Sequence, residues 1–170
     1  VDHDAVGGYR SDHPTDTFSA FAEARKRMLK TLHGVSVAPK RPMRCVVGST
    51  DVHEFGMFLV VEAMREVGIE PIVAGTSIDP DEFADLALEA SADAVVVSTH
   101  NGMALTYGRQ LLAELHERSL EVPVFIGGTL NQDFEGHDTP VDVADLLEEA
   151  GIGACREMRE MLDRLQAAIA

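Results

Sequence analysis

The chain has 170 residues, 45% of them hydrophobic and 25% charged, with a formal net charge of −15 and no tryptophan. This composition suits one compact domain that buries roughly 70% of the surface its unfolded chain would expose. No apolar run approaches the ~20 residues of a membrane-spanning helix, and the opening residues are polar rather than those of a secretory leader, so a cytoplasmic protein with no membrane partner is expected. Cys45 and Cys155 fit no metal pattern such as Cys-x-x-Cys and no disulfide framework.

The charge is unevenly divided. Residues 1–44 carry a net +3, whereas residues 45–170 hold six Arg, no Lys and 24 acidic residues, a net −18. So acidic a body repels phosphate backbones, which argues against nucleic acid as a partner. The scarcity of lysine suits a salty cytoplasm or an ordinary soluble surface equally well. The basic run Arg25-Lys26-Arg27 to Lys30 reads as a solvated helix face or as a partner contact.

Taken in order, residues 1–14 show no periodicity and read as a loose arm. Over 15–33 the apolar positions Phe18, Phe21, Ala22, Met28, Leu29 and Leu32 recur at helical spacing, with Thr15 or Asp16 as the cap. Residues 34–40 form a linker ending at Pro42, which separates an N-terminal arm and helix (1–41) from a domain at 42–170. From there, short apolar runs alternate with helical stretches. Strands are expected at 44–48, 71–74, 94–98 and 122–126, the last running into Gly127-Gly128. Helices are expected near 55–67, 80–91, 105–119, 140–150 and 155–168. Asp79-Pro80 and Thr139-Pro140 each pair a cap residue with proline at the first helical position.

Continuous apolar strands separated by helices imply a parallel sheet covered on both faces. The expected fold is therefore α/β: a doubly wound, flavodoxin-like (Rossmann-like) parallel sheet with an N-terminal helical extension. Ligands of such folds sit outside the carboxyl ends of the strands. The loops there are 49–56, 75–78, 98–105 and 127–134.

The first loop contains Asp51-Val52-His53-Glu54-Phe55-Gly56. Asp51 and His53 are placed to pair, and a carboxylate on one ring nitrogen fixes the tautomer and makes the other a better metal donor. A plain surface hydrogen bond is the alternative. Gly56 removes a side chain where the next helix starts, letting a bulky ligand approach. Ser98-Thr99-His100-Asn101-Gly102 offers hydroxyl, imidazole and amide groups, or simply turn chemistry. Gly127-Gly128-Thr129 suits a wall against an elongated ligand, or a chain reversal. Phosphate-loop, G-x-G-x-x-G and G-x-S-x-G patterns are absent, and no Lys follows Lys40 as a response regulator would need. For zinc, His53, Asp51 and His100 make an incomplete set.

Together these loops resemble the cobalamin-binding domain of adenosylcobalamin-dependent mutases and corrinoid methyltransferases. That family's signature is Asp-x-His-x-x-Gly, then Ser-x-Leu, then Gly-Gly. Here it reads Asp51-Val52-His53-Glu54-Phe55-Gly56, Ser98-Thr99-His100 and Gly127-Gly128, over about residues 42–150. The stretch from Val47 to His53 is most similar to small subunits of the glutamate mutase (methylaspartate mutase) type.

The resemblance implies that His53 displaces the cofactor's dimethylbenzimidazole and ligates cobalt from below, with Asp51 on its other nitrogen. Gly56 would leave room for the displaced nucleotide tail, Ser98 would hydrogen-bond its base, and Gly127, Gly128 and Thr129 would line its slot, with Leu130 adjoining. Thr50 and Glu54 would meet the corrin edge, and Val52, Thr99 and His100 complete the implied cofactor-binding set. No catalytic residue is implied in this chain. The implied function is that of the cobalamin-binding small subunit of an adenosylcobalamin-dependent carbon-skeleton mutase, an isomerase inactive without a large barrel-type subunit, since 170 residues cannot hold a barrel of ~250. The alternatives are a corrinoid carrier for methyl transfer, a non-catalytic cobalamin sensor, or a flavodoxin-like module that binds no corrinoid. Three features depart from the pattern: His100 in place of Leu, a C-terminal edge that looks shortened where Gly151–Cys155 runs into Arg156, and the basic N-terminal helix.

Overall fold

A computed structural model describes residues 14–33 and 42–169. The expected linker and all of the expected arm except Pro14 lie outside the described residues. Pro14 opens α1 (Pro14–Thr31), and β1 (Met43–Ser49), α2 (Glu54–Glu66), β2 (Ile69–Gly75), α3 (Pro80–Glu89) and β3 (Ala94–Thr99) follow. Next come α4 (Ala104–Glu117), β4 (Val124–Gly128), β5 (Asn131–Gln132), β6 (Val141–Asp142), α5 (Ala144–Glu149), β7 (Gly153–Cys155) and α6 (Met158–Ile169).

Five strands form one parallel sheet in the order β2-β1-β3-β4-β7. That is the doubly wound, flavodoxin-like arrangement expected from the sequence. Strand β3 is central and buried along its whole length, which explains why its sequence shows an apolar run and no alternation. The alternation reappears in where the side chains go. Val95 and Val97 join Val46, Phe83, Leu111 and Ile126 in one core, while Ala94 and Val96 join Val47, Met64, Phe125 and Leu162 in the other. After β2 pairs with one side of β1, the chain crosses to place β3 on the other. This switch in strand order opens a crevice at the carboxyl ends of β1 and β3.

Both sheet edges are managed. Pro71, which donates no ladder hydrogen bond, lies in the edge strand β2. At the other edge, Glu148 Oε1 accepts from Ala154 N at 2.9 Å, and Arg164 Nη1 donates to Ala154 O at 3.2 Å. These two side chains also bond each other at 2.6 and 2.9 Å. The Arg164 hydrogen bond, against the opposing effect of burial, holds the Glu148 carboxyl below its ordinary value. The pair occupies the strand's outward polar groups and blunts a short edge against further pairing.

Helix α1 is docked on the domain. Met28 and Leu32 are buried in the core that α2 and α6 share, and the Phe21 ring meets Phe55 edge-on at 5.4 Å. Arg25 Nε donates to Glu62 at 2.8 Å, so this member of the basic run has a partner within the chain.

Two expectations need correction. The helix expected at 140–150 begins only at Ala144, because Val141 and Asp142 pair antiparallel with Gln132 and Asn131. Asp142, not Thr139, receives the first helical amide, that of Ala144, at 3.0 Å. The helix expected from 155 begins at Met158, because residues 153–155 continue the sheet beside β4. The C-terminal edge is short, yet the fifth strand is present.

Gly48 is tightly packed behind the crevice. A Cβ there would lie 2.6 Å from Phe83 Cε2, on a ring that is fully buried. Gly48→Ala is expected to cost about 1–3 kcal/mol through overpacking, read as a lower urea midpoint; an unchanged midpoint would contradict this packing.

Candidate functional site

The loop after β1 is fixed before any side chain is considered. Thr50 N donates to Ser98 O at 3.0 Å, and Ser77 N donates to Asp51 O at 3.1 Å, tying the loop to the ends of β3 and β2. Ser77 reaches this position with φ at 51°, in the left-handed region. Thr50 Oγ1 and Thr99 Oγ1 share a hydrogen bond of 2.9 Å, and Asn101 Nδ2 donates to Thr50 O at 3.4 Å.

Within this frame the Asp51 carboxylate is fully engaged. Its Oδ1 accepts from His53 N at 2.8 Å and meets His53 Nδ1 at 2.7 Å. Its Oδ2 accepts from His100 N at 2.8 Å and from Thr50 Oγ1 at 3.4 Å. Burial opposes ionisation and is the largest single effect on this group. The His53 amide, the His53 ring and the His100 amide outweigh it together and hold the carboxyl below its ordinary value. An ionised carboxylate can only accept, so His53 Nδ1 carries a proton, and in the neutral ring the lone pair is on Nε2.

The two side chains differ sharply in exposure, 66% for His53 against 10% for Asp51. His53 stands at the N-cap of α2 with extended backbone and makes no capping bond, which leaves its ring turned outward. The result is an imidazole oriented from behind and open in front. Among the described residues no group of three or more His, Cys, Asp or Glu side chains could hold a metal ion.

Beside His53 a groove of about 170 Å³ runs between α2 and the ends of β3, β4 and β7. Gly56, Ser98, His100, Gly127 and Gly128 all line it. A Cβ at Gly56 would lie 3.2 Å from Ser98 Oγ, so any side chain there would fill the groove. Gly128 has φ of 102°, and a Cβ there would come 2.4 Å from Thr99 O, a position only glycine tolerates.

The other implied site residues are placed differently. Val52 is 74% exposed beside His53, and Glu54 is exposed in the first turn of α2. Thr99 is buried and braces Thr50. Thr129 does not line the groove, its amide bonding Thr99 O at 2.8 Å, and Leu130 is buried in the core.

Sequence reasoning missed the groove's apolar walls, Leu59 and Val60 on one side and Met158 and Met161 on the other. Leu59 and Val60 follow Gly56 by three and four positions, the spacing of one helix face, so that signal was available. Met158 and Met161 lie about a hundred residues away and gave none.

Residues 43–165 match the B12 binding domain. Over 100 residues the chain is 34% identical to glutamate mutase sigma subunit 1 of Haloarcula marismortui, covering 57% of this chain and 66% of that subunit. Over 95 residues it is 30% identical to the small subunit of 2-hydroxyisobutanoyl-CoA mutase of Aquincola tertiaricarbonis, covering 56% and 69%. The match thus spans just under two thirds of the Haloarcula subunit's length. The fold superposes on a cobalamin-binding protein from Desulfitobacterium hafniense with a TM-score of 0.65 at 17% identity, covering 90% of this chain and 71% of that one. No described helix is long and apolar enough to cross a membrane. Because the matched region runs from the start of β1 into α6 and includes every strand and loop of the crevice, the chain belongs to the B12 binding domain family.

Proposed function

We propose that this chain is the cobalamin-binding small subunit of an adenosylcobalamin-dependent carbon-skeleton mutase, working with a separate barrel-type subunit. The observation that carries the reading is the Asp51-held His53, whose Nε2 faces outward beside a glycine-lined groove. Mutase subunits among the relatives support the class of reaction.

The residues present fit the group. A corrinoid's cobalt would take its protein ligand from a lone oriented imidazole, which His53 offers. A corrinoid's nucleotide tail would be held in a slot with apolar walls and little side-chain bulk. Gly56, Gly127 and Gly128 leave that space, and Ser98 Oγ is a polar group within it. When bound, adenosylcobalamin supplies radical chemistry through homolysis of its cobalt–carbon bond.

The chain's own residues hold and orient. His53 would ligate cobalt through Nε2, and Asp51 would keep the proton on Nδ1 and the ring in one plane. The exposed Val52 and Phe55 beside the ligand are surfaces that a barrel-type partner would cover and dry.

Incubation with hydroxocobalamin or adenosylcobalamin followed by desalting should leave the wild type coloured, with a base-off, histidine-ligated spectrum. His53→Ala should lose that spectrum, and its retention would refute the assignment. Asp51→Asn replaces a carboxylate that can only accept with an amide that can also donate, so the tautomer is no longer fixed, and corrinoid affinity should fall about 10–100-fold. Equal affinity would show that Asp51 has no such role.

A second consequence concerns pH. Asp51's folded carboxyl is held below its ordinary value, so the folded state binds that proton more weakly than the unfolded chain does. Its contribution to stability is complete above the unfolded value of ~3.9 and is lost as pH falls through the lower folded value. The urea midpoints of wild type and Asp51→Asn should differ at neutrality and converge as pH falls below ~4. A difference that persists unchanged in acid would contradict the ionised hub.

A further inference from the structure

The mouth of the groove carries one side chain to which the proposed function gives no task. His100 stands in the β3–α4 loop, its backbone N–H donated to Asp51 Oδ2 at 2.8 Å. The same carboxylate holds His53, and the two ring centroids lie 5.9 Å apart with planes inclined by 53°. The His100 ring occupies space that two glycines leave open. A Cβ on Gly128 would lie 3.1 Å from its Cε1 and 3.2 Å from its Nε2, and one on Gly56 would lie 3.4 Å from its Cε1. Among the described residues neither ring nitrogen has a hydrogen-bond partner.

The surroundings narrow what this imidazole can serve. The groove's walls are largely apolar, and Arg156 and Glu157 are the charged residues along them. Arg156 turns its Nη2 to the Asp142 carboxylate, at 2.8 and 3.0 Å, so its charge is balanced there. Asp51 is ionised and saturated. The body around them is strongly acidic. An anionic ligand entering here meets, in the His100 ring, a nitrogen donor that has no partner among the described residues.

A corrinoid's nucleotide tail carries such an anion, a phosphodiester between the corrin side chain and the ribose. We propose that His100 donates a hydrogen bond to that phosphate at the entrance of the groove. This rests on the cobalamin reading above and adds a recognition residue to it. The imidazole would offset the repulsion between the acidic body and an anionic tail, and would discriminate corrinoids that carry the phosphate from those that lack it.

Three corrinoids separate the possibilities: cobinamide, which has no phosphate; cobinamide phosphate, which has phosphate but no base; and cobalamin. Their affinities are to be measured for wild type, His100→Ala and His100→Gln. His100→Ala should weaken cobalamin and cobinamide phosphate about 10-fold each, the effect of one hydrogen bond to a charged group. Cobinamide should bind unchanged, which also shows that the variant folds, and His100→Gln should recover most of the loss. Equal weakening of all three corrinoids would mean that His100 acts only through the fold, and loss confined to cobalamin would place it on the base or ribose. Either result, or no loss at all, overturns the proposal while leaving cobalamin binding intact. Failure of the wild type to bind any of the three would overturn the cobalamin reading itself.

Discussion

The arrangement at the head of the sheet depends on one ionised carboxylate. Asp51 accepts from two backbone amides, one ring nitrogen and one hydroxyl, so a single side chain joins the loops after β1 and β3. Its backbone carbonyl adds the loop after β2 through Ser77. Burial of the carboxyl works against ionisation, and the converging donors overcome it. What this achieves is orientation. An exposed imidazole on a flexible loop would sample many planes and both tautomers, whereas His53 is held in one of each.

The fold places that carboxylate where the chain reverses its winding. Strand β3 is buried throughout and fills both cores with alternate side chains, so its carboxyl end is a rigid floor. The groove exists because the residues nearest that floor are small: Gly56 opens α2, and Gly128 ends β4 in a conformation closed to other residues. On the far side, Glu148 and Arg164 occupy the outward groups of Ala154, which lets the sheet end in a strand of three residues without an open edge. Rigid packing and small side chains together make a slot that needs little rearrangement to admit a ligand.

Much of this was legible in the sequence, for reasons that differ by element. The four long strands announced themselves as short continuous apolar runs, the mark of strands in a covered parallel sheet. The Asp51–His53 pairing followed from two residues in a strand-end loop, and Gly56 from its place at the next helix. The short antiparallel pair β5–β6 was not legible, because two-residue strands have no period to detect. Its second strand also lies inside Thr139-Pro140-Val141-Asp142, a string that imitates a helix start. The true first amide is received by Asp142 three residues later than the cap expected at Thr139. Strand β7 was hidden for a related reason: its three small residues are given their strand character by pairing with β4, not by their own pattern. The docking of α1 rests on Arg25–Glu62 and Phe21–Phe55, contacts between distant segments to which local periodicity is blind.

The central claim is that His53, and not the cofactor's own base, supplies the nitrogen below cobalt. Electron paramagnetic resonance of the Co(II) corrinoid complex tests it most directly, using protein grown with histidine carrying the heavy, spin-one-half nitrogen isotope. Ordinary nitrogen splits each cobalt line into a triplet, and the heavy isotope splits it into a doublet. The account predicts triplets from unlabelled protein and doublets from labelled protein. Triplets that persist in the labelled protein would contradict it, because the ligating nitrogen would then come from the cofactor.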